Sequence, residues 1–297
     1  MAWKTINPQE VSVPTLHSYL QSVIAPRPIA FASTIDKAGN VNLSPFSFFN
    51  IFSTNPPIVI FSPSRRVRDN TTKHSLENVL EVPEVVINIV DYKMVEQASL
   101  ASTEYEKGVN EFVKAGLTQE PSTLVKPPRV AEAPAALECK VQQVIPLGTQ
   151  GGAGNLVVCE VLLVHLKEGI FDEDGKINPF KADLVARMGG DWYCRAQGKS
   201  IFEIPKPLQT KGIGIDNIPA AIRESNLLTG NNLGRLANVE RLPSTEEIEE
   251  FRKNPTLQNI LQNFENQPLA LEKELHLLAQ VYLEKKEIMN AWKVLLM

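Results

Sequence analysis

The chain has 297 residues, 43% of them hydrophobic and 22% charged, with a formal net charge of −4. That is ordinary globular composition, which excludes a wholly disordered or fibrous chain. With no overall basic field, nucleic acid is not an expected partner, and an anionic ligand has to be held by a local cluster. The N-terminal stretch MAWKTINPQEVSVPTLHSYL has no sustained apolar segment, and no later run approaches the roughly 18 apolar residues of a membrane-spanning helix. The sequence therefore predicts a cytoplasmic protein with no membrane partner.

In chain order, strand signals come first. From residue 22 to about 62 the apolar runs are short, rich in Ile, Val and Phe, and broken by turn residues. IAFASTID, the turn Lys37-Ala38-Gly39-Asn40 and then VNLSPFSFFNIF read as a hairpin. Asn55-Pro56-Pro57 imposes a turned or extended segment before the strand IVIFSPS, because proline lacks the N–H a ladder needs. TTKHSLENVLEV follows as a helix, with Leu76, Val79 and Leu80 on one face and Asn70, Thr71 or Thr72 as cap. EVVINIVD is a buried strand, KMVEQASLAS and VNEFVKAG are short helices, and residues 118–134 form a proline-bearing connection. ALECKVQQVIPLG and NLVVCEVLLVHL are two further strands around the glycine-rich turn Gly148 to Gly154.

Strands that follow one another through turns, with helices inserted, favour an antiparallel barrel over a doubly wound sheet. Beyond the linker-like IPKPLQTKGIGIDNIP the pattern is helical, and Ser244 with Glu247 forms an S-x-x-E capping box. The expected organisation is a barrel domain over 1–205 and a helical C-terminal extension over 206–297.

Several chemistries lack their residues. Cys139, Cys159 and Cys194 are far apart, with neither a C-x-x-C pair nor a neighbouring histidine, and read as small buried apolar side chains. His17, His74, His165 and His276 are scattered, so neither a catalytic triad nor a metal cluster is indicated. The glycine-rich turn has neither G-x-G-x-x-G nor a P-loop ending. The acidic residues read as solvated surface.

Two segments stand out. Ser33, Thr34, Asn42, Ser44, Ser47 and Asn50 are expected on two paired strands with Phe46, Phe48 and Phe49 among them. Hydroxyls and amides beside flat apolar surface suit a ring system with polar edges; the plain alternative is a hairpin with one polar face. The stretch from Ser62 to Lys73 then carries the cations Arg65, Arg66, Arg68 and Lys73, with Thr71 among its hydroxyls, into a helix start. Free N–H groups, a positive dipole end and arginine forks suit a phosphate, and the alternative is a solvated basic loop.

The strings APRPIAFASTIDKAGNVNLSPFSFFN, NPPIVIFSPS, EVVINIV and LVARMGGDWYCRA, in this order, resemble the flavin reductase-like family that includes flavoredoxin. The resemblance covers roughly residues 18–196. It implies an FMN-binding split β-barrel, mainly β with inserted helices, acting as a homodimer with flavin near the subunit interface. It assigns Ser33 and Thr34, and Asn42, Ser44, Ser47 and Phe48, to ribityl and ring, and Gly189 and Tyr193, with Arg187 nearby, to the ring. For the phosphate, alignment on Asn78-Val79 selects Lys73-His74-Ser75, whereas alignment on the loop selects Arg68-Asp69-Asn70-Thr71. The implied activity is reduction of FMN by NADH or NADPH, with electrons passing to free flavin or another acceptor. A flavoredoxin-like electron carrier without efficient NAD(P)H oxidation is the alternative. A third reading is a barrel scaffold whose helical C-terminal region binds a protein partner.

Overall fold

Runs of β-branched and aromatic residues become strands where turn residues bound them. In the computed structural model, which describes residues 2–297, these are β1 (Ala30–Ile35), β2 (Val41–Phe46), β3 (Phe49–Thr54), β4 (Pro57–Phe61) and β5 (Glu84–Ile89). The short β6 (Gln119–Glu120) and β7 (Arg129–Val130) precede the long β8 (Ala135–Pro146) and β9 (Asn155–Leu166), and β10 (Val185–Arg187) pairs with β11 (Tyr193–Arg195). Seven strands form one antiparallel sheet in the order β2-β1-β5-β8-β9-β4-β3. Its edges, β2 and β3, are consecutive in the chain, yet no ladder joins them, so the barrel is split.

VNLSPFSFFNIF is therefore not one strand. It breaks at Ser47-Phe48 and sends its two halves to opposite edges of the sheet. Pro45, which has no N–H to donate, is compatible with β2 only because β2 is an edge.

Helices fill the connections: α1 (Val13–Val23), α2 (His74–Glu81), α3 (Val95–Leu100), α4 (Glu111–Ala115) and α5 (Pro179–Ala182). The barrel interior packs Ala30, Ala32, Phe61, Val85, Ile87 and Cys159 around Leu76 and Val79 of α2. On the outer side, Phe31 and Leu43 pack with Met94, Ala98 and Phe112 of the α3–α4 region. The alternation of Ala30, Phe31 and Ala32 between these two clusters is the period-2 consequence of a strand covered on both faces. Leu80 is exposed rather than sharing the buried face of α2, and Cys194 is only partly buried, on the short β11.

The chain divides after Phe202, and a second unit begins at Glu203. It comprises α6 (Ala220–Arg223), α7 (Gly230–Ala237), α8 (Thr245–Phe251), α9 (Pro255–Asn263), α10 (Pro268–Glu284) and α11 (Ile288–Leu295). Both bonds of the Ser244–Glu247 capping box are formed. Its core closes on Trp292, wholly buried, whose Nε1 donates to the Leu236 carbonyl at 2.9 Å. Among the described residues no helix is long and apolar enough to cross a membrane.

Candidate functional site

The basic loop and the start of α2 form the wall of a small cavity that also involves Asn42, Ser44, Ser75 and Glu104. Its volume is about 20 Å³, room for about one water. The Glu104 carboxylate accepts from Arg66 Nε at 2.9 Å and Arg68 Nη2 at 2.7 Å, and stands 3.5 Å from Lys73 Nζ. Hydrogen bonds from Arg66 and then Arg68 hold its carboxyl down at about 2. Arg66 and Lys73 line the cavity.

Arg65, beside them in sequence, does not line it. Its Nε and Nη2 donate to Asn70 Oδ1 and to the Asn70 carbonyl, each at 2.6 Å. Asn70 sits at φ +57°, a left-handed conformation that asparagine tolerates better than most residues. The glycine-rich turn braces the same loop, with Arg65 N donating to Ala153 O at 2.8 Å and Gly152 N to Arg65 O at 2.9 Å. A Cβ on Gly151 would stand 2.9 Å from the Arg66 carbonyl, so close backbone approach explains that glycine.

Asn42 is engaged by a buried network in the wall of the cavity. Its Nδ2 donates to Glu111 Oε1 at 2.7 Å, and its Oδ1 accepts from Ser75 Oγ at 2.6 Å. The second Glu111 oxygen accepts from Leu43 N at 2.9 Å. Burial pushes the Glu111 carboxyl up, against these hydrogen bonds.

A second cavity, of about 330 Å³, is lined by Ile29, Pro45, Ser47, Val95, Arg187 and Tyr193, and Ser102 lines both cavities. The Arg187 guanidinium stacks over the Tyr193 ring at 4.6 Å and donates to the Gly190 carbonyl at 2.7 Å. Buried Arg27 ties this wall together. Its Nη1 donates to the Gln21 and Ile24 carbonyls at the end of α1, its Nη2 to the Met188 carbonyl at 2.8 Å, and its Nε to Ser47 Oγ at 3.4 Å. Gly189 packs so closely on α1 that a Cβ would collide with Ser22.

Of the residues singled out from sequence, Asn42, Ser44 and Lys73 line the first cavity, and Ser47 and Tyr193 the second. Ser33 and Thr34 are wholly buried inside the sheet rather than facing either one. Thr34 Oγ1 accepts from Asn78 Nδ2 at 3.1 Å, and Ser33 Oγ has no partner among the described residues. Asn50 is exposed on β3, Phe48 packs edge-on against His17, Ser62 is buried beside Gly154, and Thr71 bonds within its own loop. Sequence reasoning did not single out Arg27, Ser102, Glu104 or Glu111; Arg66 was visible only as one of four cations, and Ser75 only through one of the two phosphate alignments. Glu111 and Glu138, read as solvated, are instead buried, and Glu138 accepts from Thr123 N, Leu124 N and His165 Nε2. Among the described residues no three His, Cys, Asp or Glu converge as a metal site.

The family described as flavin reductase like domain matches residues 23–181. A protein of Aquifex aeolicus is 38% identical over 196 residues, covering 66% of this chain and 97% of that relative. Nitrilotriacetate monooxygenase component B from Bacillus cereus is similar in structure, with a TM-score of 0.64 and 29% identity, covering 69% of this chain and 100% of that one. The 2-nitrobenzoate 2-nitroreductase of Pseudomonas fluorescens gives a TM-score of 0.61 at 25% identity, covering 70% and 100%.

Proposed function

The chain belongs to the flavin reductase like family, and on that premise we propose that it holds FMN across the two cavities, accepts hydride from NADH or NADPH, and passes electrons to free flavin or another acceptor. The observation that carries this reading is the union, through Ser102, of a cation- and hydroxyl-lined end with a larger end that presents Pro45, Ser47 and Tyr193. A phosphate suits the first and a flat ring with polar edges the second. Small-molecule sites commonly begin at about 300 Å³, which the larger cavity matches.

In this assignment Arg66 and Lys73 hold the phosphate, Ser44 and Ser102 lie along the ribityl chain, and Ser47 and Tyr193 meet the ring. Asn42 acts one step away, by orienting Ser75 and the β2 backbone. Arg27 holds the Ser47 and Met188 walls at a fixed separation. Bound flavin supplies the hydride and electron chemistry itself, so the protein needs no nucleophile. An acceptor outside the chain is supported by the similarity to a protein named as one component of a monooxygenase.

The same reading has the protein work as a homodimer in the cytoplasm. Leu162, Val164 and Leu166, alternate exposed residues on one face of β9, offer a second copy an apolar stripe. Light scattering that finds a strictly monomeric flavin-loaded protein removes the dimer.

The deciding experiment is flavin absorbance of the purified protein, followed by NADH and NADPH oxidation with added FMN. Stoichiometric FMN with nicotinamide oxidation is the expected result. FMN without nicotinamide oxidation makes the protein an electron carrier of the flavoredoxin kind, and failure to take up flavin refutes the reading.

A further inference from the structure

Glu104 differs from the buried carboxylates Glu111 and Glu138 in what holds it. Glu111 accepts from a buried backbone N–H and a buried amide, and Glu138 from two backbone N–H groups and a histidine. Such fixed donors make those two carboxylates parts of the scaffold. Glu104 is held, among the described residues, by Arg66, Arg68 and Lys73 alone. It projects from irregular backbone between α3 and α4, and its side chain is 39% exposed. Rotation into water therefore breaks no backbone hydrogen bond and opens no core.

What Glu104 covers gives that freedom a use. It lines the cation-bearing cavity, whose volume of about 20 Å³ admits a water but not a phosphate group. Two of its three cations, Arg66 and Lys73, also line that cavity. A phosphate dianion and this carboxylate compete for Arg66 Nε and Lys73 Nζ, and in the observed arrangement the carboxylate has them, while Arg66 Nη1 is given to Thr71 Oγ1 and the Thr72 carbonyl.

We propose that Glu104 is a displaceable internal anion that occupies the cations of the phosphate end, so that a phosphate-bearing ligand enters only by driving its side chain out. The inference rests on the FMN reading above and adds a specificity-determining residue to it. A flavin without phosphate leaves Glu104 in place. A flavin with phosphate displaces it, and the cost of displacement lowers FMN affinity without touching riboflavin affinity. Glu104 thus sets how strongly the site prefers the phosphorylated ligand, and keeps the cations partnered when none is bound.

The test uses the full chain as wild type, Glu104→Gln and Glu104→Ala, titrated with FMN and with riboflavin by flavin fluorescence. A thermal melt of the flavin-free protein in inorganic phosphate against chloride is run beside it. Removing the competing charge is expected to raise the FMN-to-riboflavin affinity ratio by roughly tenfold or more in both variants, with riboflavin affinity within about threefold of wild type. Inorganic phosphate is expected to raise the melting temperature of the variants more than that of wild type. An unchanged or lowered ratio, with FMN still bound by wild type, overturns the displacement and leaves the FMN reading standing. A fall in FMN affinity in both variants would make Glu104 a scaffold that positions the cations. Binding of neither flavin, with no phosphate effect on the melt, removes the FMN reading and this inference together. A phosphate-dependent melt confined to the variants, without flavin binding, removes only the flavin reading.

Discussion

Lys73 and Arg65 carry the same charge eight residues apart in one loop, and the structure assigns them opposite consequences. Lys73→Ala removes an ammonium whose polar contact is the 3.5 Å approach to Glu104, so the fold loses little. If Lys73 meets the FMN phosphate, the substitution removes a charge-assisted bond of about 1.5–3 kcal/mol, weakening FMN roughly tenfold to a hundredfold. Riboflavin, which lacks the phosphate, should bind within about threefold of its wild-type affinity. Arg65→Ala instead deletes two 2.6 Å bonds to Asn70, which hold the left-handed turn of the loop. At about 1–1.5 kcal/mol for each part-exposed bond, the loss is about 2–3 kcal/mol of stability, with the FMN-to-riboflavin ratio near wild type. Fluorescence titration with both flavins and a urea melt on each variant read the two effects separately. The reasoning is refuted if Arg65→Ala lowers the ratio tenfold while Lys73→Ala leaves it unchanged.

Glu138→Ala should cost about 3 kcal/mol in a urea melt, because it leaves the Thr123 and Leu124 N–H groups and His165 without their acceptor. Burial disfavours ionisation of Glu138, but these hydrogen bonds outweigh it and hold the carboxyl below its usual 4.5, so its contribution is present above that value and lost as pH falls through the depressed one. Glu111 has the opposite sign: burial raises its carboxyl above 4.5, so its contribution is fully present below 4.5 and lost as pH rises through the raised value. Glu111→Gln should therefore flatten the fall in melting temperature as pH rises above 4.5, and an unaltered profile contradicts the assignment. Trp292→Ala should destabilise the helical unit by about 3–5 kcal/mol in a melt followed by far-ultraviolet circular dichroism while leaving flavin affinity intact, since the cavity residues all lie before Phe202. A parallel loss of flavin affinity would show that the cavities depend on that unit.

β1, β4, β5, β8 and β9 were legible because burial imposes a pattern of branched apolar residues that local turn chemistry then bounds. α1 went unread although Val13, Leu16, Leu20 and Val23 recur at helical spacing, and it buries none of its residues. The break at Ser47-Phe48 was hidden because the mixture of aromatic and small residues runs through it unchanged, and only the Pro45 edge constraint hinted at it. The basic loop announced its cations by type, but direction within an irregular loop has no period. Arg65 turns toward Asn70 while adjacent Arg66 reaches Glu104. The carboxylates were misread as solvated because their partners are remote in sequence. Asn42 lies 69 residues from Glu111, and nothing local to either records the meeting.

The split between β2 and β3 bears on how the larger cavity can breathe. Two of its lining residues, Pro45 and Ser47, sit at the end of β2 and at the point where the chain leaves it, on the one margin of the sheet without ladder hydrogen bonds to its sequence neighbour. In a closed barrel, widening such a site by an ångström would strain every rung across it. Here the opposing margins are joined by the chain and by the apolar packing of Phe46, Phe49 and Phe61 rather than by ladder bonds, so the gap can change width while all six ladders of the sheet stay intact. The Arg27 guanidinium, which bonds Ser47 on one side and the Met188 carbonyl on the other, acts with the backbone pair between Arg27 and Arg187 to tie the end of β2 to the β10 side of the cavity. The tolerance of this cavity for rings of different breadth is thereby separated from the stability of the sheet that carries it.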